Sequence, residues 1–213
     1  QMIDLILFAL TLYGKYIIFF LYLSLLGRGS HLIFKKYLLK KSEKSNLILE
    51  TRAIIFYPII GTIILGNVLL TLHYFIKLNN KFLPIIALIL LLPNFLELKL
   101  ASQSFTKLFS IQNMTLYLII PGILLISSSD INFHYDAAYY HLNHQNWLRE
   151  SNLIIGTVNI FWPFGMSSIF EYLSSVLWFG NSLIYLHFLN LIFMHFFFSF
   201  IFIHLFNTKN SNL

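Results

Sequence analysis

Ala53-Ile-Ile-Phe-Tyr-Pro-Ile-Ile-Gly-Thr-Ile-Ile-Leu-Gly-Asn-Val-Leu-Leu-Thr-Leu-His-Tyr-Phe-Ile76 is the stretch on which the fold turns. It holds no Asp, Glu, Lys or Arg. A helix that crosses a bilayer needs roughly 20 mostly apolar residues, and this run is long enough. In water such a helix would be apolar on every side, which only deep burial or lipid tolerates.

The rest of the chain has the same character. Of 213 residues 58% are hydrophobic, 18% are aromatic and only 10% are charged, and the mean hydropathy is +0.75. A soluble domain carries about 25% charged residues, so this chain lacks the polar surface for water. Further candidate spans are 5–26, 82–98, 108–126, 163–179 and 183–206, of which 183–206 is as clear as 53–76. The fold class expected is all-α, a polytopic transmembrane helix bundle of five or six spans. The count depends on 163–179, which is short and carries Glu171. Gly180-Asn-Ser182 then makes a tight turn into the last span. No internal period suggests a repeat. The opening Gln1 and the stop soon after an apolar run predict that the sequence is part of a longer protein.

Charge gives the orientation. Seven of the 14 Lys and Arg lie between Arg28 and Arg52, whereas the segment 127–162 has one, Arg149. Basic loops stay cytoplasmic, so 28–52 is expected inside. Counting spans then puts 77–81 outside, 97–107 inside and 127–162 outside. The formal net charge of +6 therefore reads as membrane topology and not as nucleic-acid binding. With no cysteine, disulfides, thiolate metal sites and cysteine nucleophiles are excluded. Lys15 lies within the first span, where a charge is either functional or snorkels to an interface. Pro93 and Pro121 kink their helices without functional meaning.

Three parts follow: N-terminal helices over 1–126, an outer loop over 127–162 and a helical hairpin over 163–213. The loop gathers the polar chemistry. Its stretch Asp130-Ile-Asn-Phe-His-Tyr-Asp136-Ala-Ala-Tyr-Tyr140-His141-Leu-Asn-His144-Gln-Asn-Trp147-Leu-Arg149-Glu150 is expected to be an interfacial helix over about 135–149. At helical spacing Asp136, Tyr140, Asn143 or His144, and Trp147 share one face. A carboxylate just outside the bilayer can accept a proton from an incoming hydroxyl or amine, or hold a divalent cation against a phosphate. The plainer alternative is an interfacial belt, where Tyr, Trp and His gather for amphipathy alone. His141 and His144, with His134 or Asp136, offer a metal set. The spacing lacks the convergence of three ligands, so hydrogen-bonding roles are expected instead and no metal ligand is assigned. His187, His195 and His204, in the last span, read as packing residues bonded to neighbouring helices.

Asp136-Ala-Ala-Tyr-Tyr-His-Leu142 resembles the Asp-Ala-x-x-Tyr-His-Leu signature in the first large outer loop of bacterial GT-C glycosyltransferase-like membrane proteins. Trp147-Leu-Arg-Glu-Ser-Asn-Leu153 looks like that family's continuation. Trp162-Pro-Phe-Gly-Met-Ser-Ser-Ile-Phe-Glu171 resembles its approach to the next span. The resemblance covers about 127–206. It implies an inverting transferase that takes sugar from a polyprenyl-phosphate carrier at the outer face of a bacterial inner (plasma) membrane. It assigns the essential acid to Asp136, with Asp130 second. Tyr140, His141, His144, Arg149 and Glu171 are the expected substrate contacts around it. The implied partners are membrane lipid and the lipid-linked sugar, with a divalent metal as the open cofactor question. A second class stays open, a non-enzymatic polytopic protein such as a transporter or a polysaccharide-assembly partner. A transporter should show broken helices with ionisable residues at matched positions, and only Lys15 and Glu171 come near that.

Overall fold

The computed structural model describes residues 2–37, 47–86, 111–128, 135–165, 168–179 and 182–210. Within them the named elements are all helical. Helix α1 is Met2–Tyr37 and α2 is Leu47–His73. Helix α3 starts as Ile111–Met114, passes through a π-helical turn at Thr115–Ile119 and continues as Ile120–Ser128. Helix α4 joins a second π-helical turn, Ala137–His141, to Leu142–Glu150. Helix α5 is Ile169–Ser175, and α6 is His187–Asn210 after a 3-10 turn at Ile184–Leu186.

Three segments are long and apolar enough to cross a membrane: Asp4–Phe34, Ile55–His73 and Ile184–Phe206. Their outward faces carry large exposed apolar side chains, among them Leu7, Ile18, Ile63, Phe197 and Leu205. Water would penalise that surface, whereas acyl chains match it. A shorter apolar helix, Ile111–Ser127, packs against α6. The candidate span 82–98 lies outside the described residues beyond 86. The candidate 163–179 is not one long helix. It holds a 3-10 turn at Trp162–Gly165 and the seven-residue α5. At 1.5 Å per residue α5 is about 10 Å long, a third of the hydrocarbon thickness.

Glycines set the closest packing. A Cβ on Gly27 would overlap the carbonyl oxygen of Tyr57, and one on Gly61 would overlap that of Leu23. Helices α1 and α2 therefore cross backbone to backbone, as small residues allow in membranes. Gly66, one turn further along α2, leaves the space that Ile169 of α5 fills. Lys15 in α1 donates to the Tyr185 hydroxyl at 2.7 Å, with its ammonium 5.1 Å from that ring's centroid. Its charge is partnered at the start of α6. His195 is fully engaged, with Nδ1 3.0 Å from the Tyr16 hydroxyl and Nε2 2.7 Å from the Leu116 carbonyl. It ties α1, α3 and α6 together, as expected of a packing histidine.

The two ends of the bundle differ. At one end Ile55, Leu116 and Ile203 cluster. At the other, α2 finishes against the loop that contains α4. Leu78 N–H donates to the Leu148 carbonyl at 2.8 Å, and Leu153 N–H donates to that of His73 at 3.3 Å. Helix α6 starts at this loop end beside Lys15 and finishes at the opposite one. It is antiparallel to α2, so α5 sits at the loop end without a crossing of its own.

Candidate functional site: a buried glutamate between two histidines

Helix α5 is buried along its length from Glu171 to Ser175. It lies against α2 on one side and α4 on the other. Its first turn carries Glu171, whose side chain is 6% exposed. His141 Nδ1 lies 2.7 Å from Oε1 and His144 Nδ1 lies 2.5 Å from Oε2. A carboxylate only accepts, so both imidazoles donate from Nδ1, which fixes their tautomer when neutral. Burial pushes the Glu171 carboxyl upward, but the hydrogen bonds and charge of His144 and His141 outweigh it and hold the group below its ordinary value. The carboxylate is charged and oriented.

The π turn makes this geometry. It places one extra residue in the helix between Asp136 and Leu142, and the Leu142 N–H reaches the Ala137 carbonyl. Such single turns recur at functional sites. The extra residue also shifts the faces. Of the residues expected on one face, His144 takes part in the packing and the others are less covered. His144, Gln145 and Leu148 are buried, Asn143 is exposed, and Tyr140 and Trp147 are half-buried. Asp136 is half-buried and immediately precedes the π turn. The expectation that 135–149 is helical holds.

Around the Glu171 cluster the other candidates take separate places. The Tyr140 ring lies 4.1 Å from that of His141. Arg149 sits in the last turn of α4 with its guanidinium 4.8 Å from the Trp178 ring centre. Trp178 donates its indole N–H to Gln145 at 2.8 Å. Asp130 and His134 lie outside the described residues. Among the described residues no group of three or more His, Cys, Asp or Glu is arranged to hold a metal. The short distances from Glu171 to both imidazoles are direct hydrogen bonds, leaving no room for an ion between them.

Beside the cluster lies an open cavity of about 70 Å³, walled by His73, His144, Trp147, Asn152, Thr157, Phe164 and others. His73 is 2% exposed, and its Nδ1 has no hydrogen-bond partner. The sequence candidates do not include His73. Its signal is slight, a polar ring near the end of the apolar run 53–76, at the last residue of α2. Gln145 and Trp178 carry no motif at all.

A family model described as "Domain of unknown function (DUF8201)" matches residues 8–213. The chain belongs to that family. No curated protein and no solved structure matches it. The DUF8201 match takes in Glu171, both of its histidines, His73 and the cavity wall, so the whole assembly is part of the family domain.

Proposed function

We propose that this DUF8201 chain is a membrane glycosyltransferase-like protein of the GT-C type, which moves a sugar from a polyprenyl-phosphate carrier to an acceptor at the outer face of a bacterial inner membrane, for envelope glycan. One observation supports the reading above the rest. Two of the three stretches that carry the resemblance, 136–142 and 162–171, meet through the hydrogen bond of Glu171 to His141, and His144 just beyond the first adds another. A belt assembled for amphipathy alone has no need of that join. The reading has five crossings, at 5–26, 53–76, 82–98, 108–126 and 183–206, with the α4 end outside. The short α5 and the antiparallel run of α6 and α2 support the odd count over six.

In the transfer step the acceptor oxygen bonds to the anomeric carbon as the bond from that carbon to the carrier phosphate breaks. The phosphate leaves with the electron pair, and the acceptor's proton passes to a carboxylate. Asp136 takes that role, with Asp130 second. Glu171 is bound by two imidazoles and holds the loop in place. General-base loss costs about 10²–10⁴-fold, so Asp136→Asn should be nearly inactive while inserting and accumulating normally. Asp130→Asn should be milder. The assay is transfer from a polyprenyl-phosphate sugar in membranes that hold the full-length protein. Near-wild-type transfer by Asp136→Asn would remove the assignment and return the loop to an interfacial belt.

A further inference from the structure

The cavity beside Glu171 has a definite hydrogen-bonding character. His144 reaches its wall, and Glu171 already occupies His144 Nδ1. In the neutral ring Nδ1 carries the proton, so Nε2 is left as an acceptor. His73 brings a second ring, buried, with Nδ1 unpartnered. The hydroxyls of Ser151 and Thr157 and the amide of Asn152 add small polar groups, while Trp147, Phe164 and Tyr172 supply flat apolar faces. No Asp, Glu, Lys or Arg stands on the wall.

Those features select among ligand classes. A carboxylate or a phosphate diester offers only acceptors and faces the lone pair of His144 Nε2 without a proton to share, and for any anion, inorganic phosphate included, no cation on the wall balances the charge. An ammonium would give up its hydration with no carboxylate on the wall to replace it. A hydroxyl donates to one nitrogen and can donate to or accept from the next, so it satisfies both rings. Several hydroxyls on a compact carbon frame also present apolar faces to the aromatic rings. The volume of about 70 Å³ far exceeds the roughly 10–15 Å³ that one water needs.

We propose that this cavity binds a neutral polyhydroxyl group, with His144 Nε2 accepting the hydrogen bond of one ligand hydroxyl and His73 Nδ1 meeting a second. Glu171 acts as a positioning residue that holds His144 in the accepting tautomer. That the ligand is the acceptor of transfer rests on the reading above, whereas the binding does not.

The chain has no cysteine of its own, so single cysteines report cleanly. Thr157→Cys lies on the cavity wall, and Asn146→Cys, exposed on α4, is the control. The full chain in nanodiscs is labelled with a methanethiosulfonate reagent. Three probes are compared: methyl glucoside in solution, glucosyl-diacylglycerol in the disc, and inorganic phosphate. At ten times its Kd a bound ligand should slow labelling of Thr157→Cys about tenfold and leave Asn146→Cys unchanged. Protection by the soluble glucoside marks a free polyol, and protection only by the glycolipid marks a lipid headgroup. Both support the site. Protection by neither, or by phosphate as well as by the glucoside, overturns it.

Adding His144→Ala to Thr157→Cys should abolish protection. The role of Glu171 is read by conservative rescue. Glu171→Gln keeps one oxygen that can accept from an imidazole N–H, whereas Glu171→Leu keeps none. Protection of Thr157→Cys should persist in the first and vanish in the second, with Asn146→Cys unchanged in both. Equal protection in the two variants would end the positioning role. Protection without transfer by the full protein sinks the transferase reading alone, and transfer without protection sinks this one alone.

Discussion

Glu171 keeps a charge inside a buried helix because two imidazole N–H groups meet its two oxygens. Removing the acceptor leaves the buried His144 donor unsatisfied, which typically costs about 1–3 kcal/mol. Glu171→Ala should therefore unfold earlier on heating in detergent, and Glu171→Gln should lose less. The carboxyl is held below its ordinary value of 4.5. Its stabilisation is therefore complete above that value and fades as pH falls below it toward the folded-state value. Thermal midpoints measured on either side of pH 4.5 should fall on acidification for the wild type, and fall less for Glu171→Gln. Equal falls in both would show that the ion pair contributes nothing. Sequence gave each of these residues as a candidate, since carboxylates and imidazoles stand out in so apolar a chain. Their pairing was not legible. Glu171 lies 30 residues from His141, and no local pattern spans that separation.

Among the elements, the apolar runs of α2 and α6 were readable because length and composition decide them. Two features escaped. A one-residue π turn has no sequence signature, since Ala137 to His141 fits an ordinary helix equally well. The segment 163–179 is apolar enough to resemble a span, but it is divided into a 3-10 turn and the short α5, whose Ile169 fills the space left by Gly66 of α2. Close crossing is also testable. Gly61→Ala forces a methyl against the Leu23 carbonyl, whereas Gly14→Ala meets nothing within 4 Å. Overpacking of this kind costs about 1–3 kcal/mol. Gly61→Ala should lower the thermal midpoint of the protein in detergent well below that of Gly14→Ala. Equal midpoints would mean that the two helices part at no cost.

For the whole molecule, the charge count and the helix directions lead to one arrangement by separate routes. The loops 77–81 and 127–162 were expected on one side, and they touch through Leu78 and Leu148. Cysteines placed at Ser42, in the basic segment, and at Asn146, on α4, should react with an impermeant thiol reagent from opposite sides of the membrane. Reaction of both from one side would overturn the topology and, with it, the outer-face reading of Asp136. Sequence could supply this large-scale order because membrane insertion is governed by coarse quantities, hydropathy and basic charge. The cavity needs side chains from α2, α4 and the loop between α4 and α5, and no coarse quantity reports that.

One consequence of the α1 geometry reaches beyond the protein. Gly27 packs against Tyr57, next to the end of the 19-residue apolar stretch Ile55–His73. At 1.5 Å per residue that stretch is about 28 Å long and matches a hydrocarbon layer of about 30 Å. Helix α1 runs on to Tyr37, so its turns from Arg28 onward stand past the hydrocarbon, at the headgroups of the basic side. A basic side chain near an anionic lipid surface contributes about 1 kcal/mol. Reconstitution into lipids of increasing anionic content should then raise thermal stability, which makes that end of α1 a gauge of surface charge.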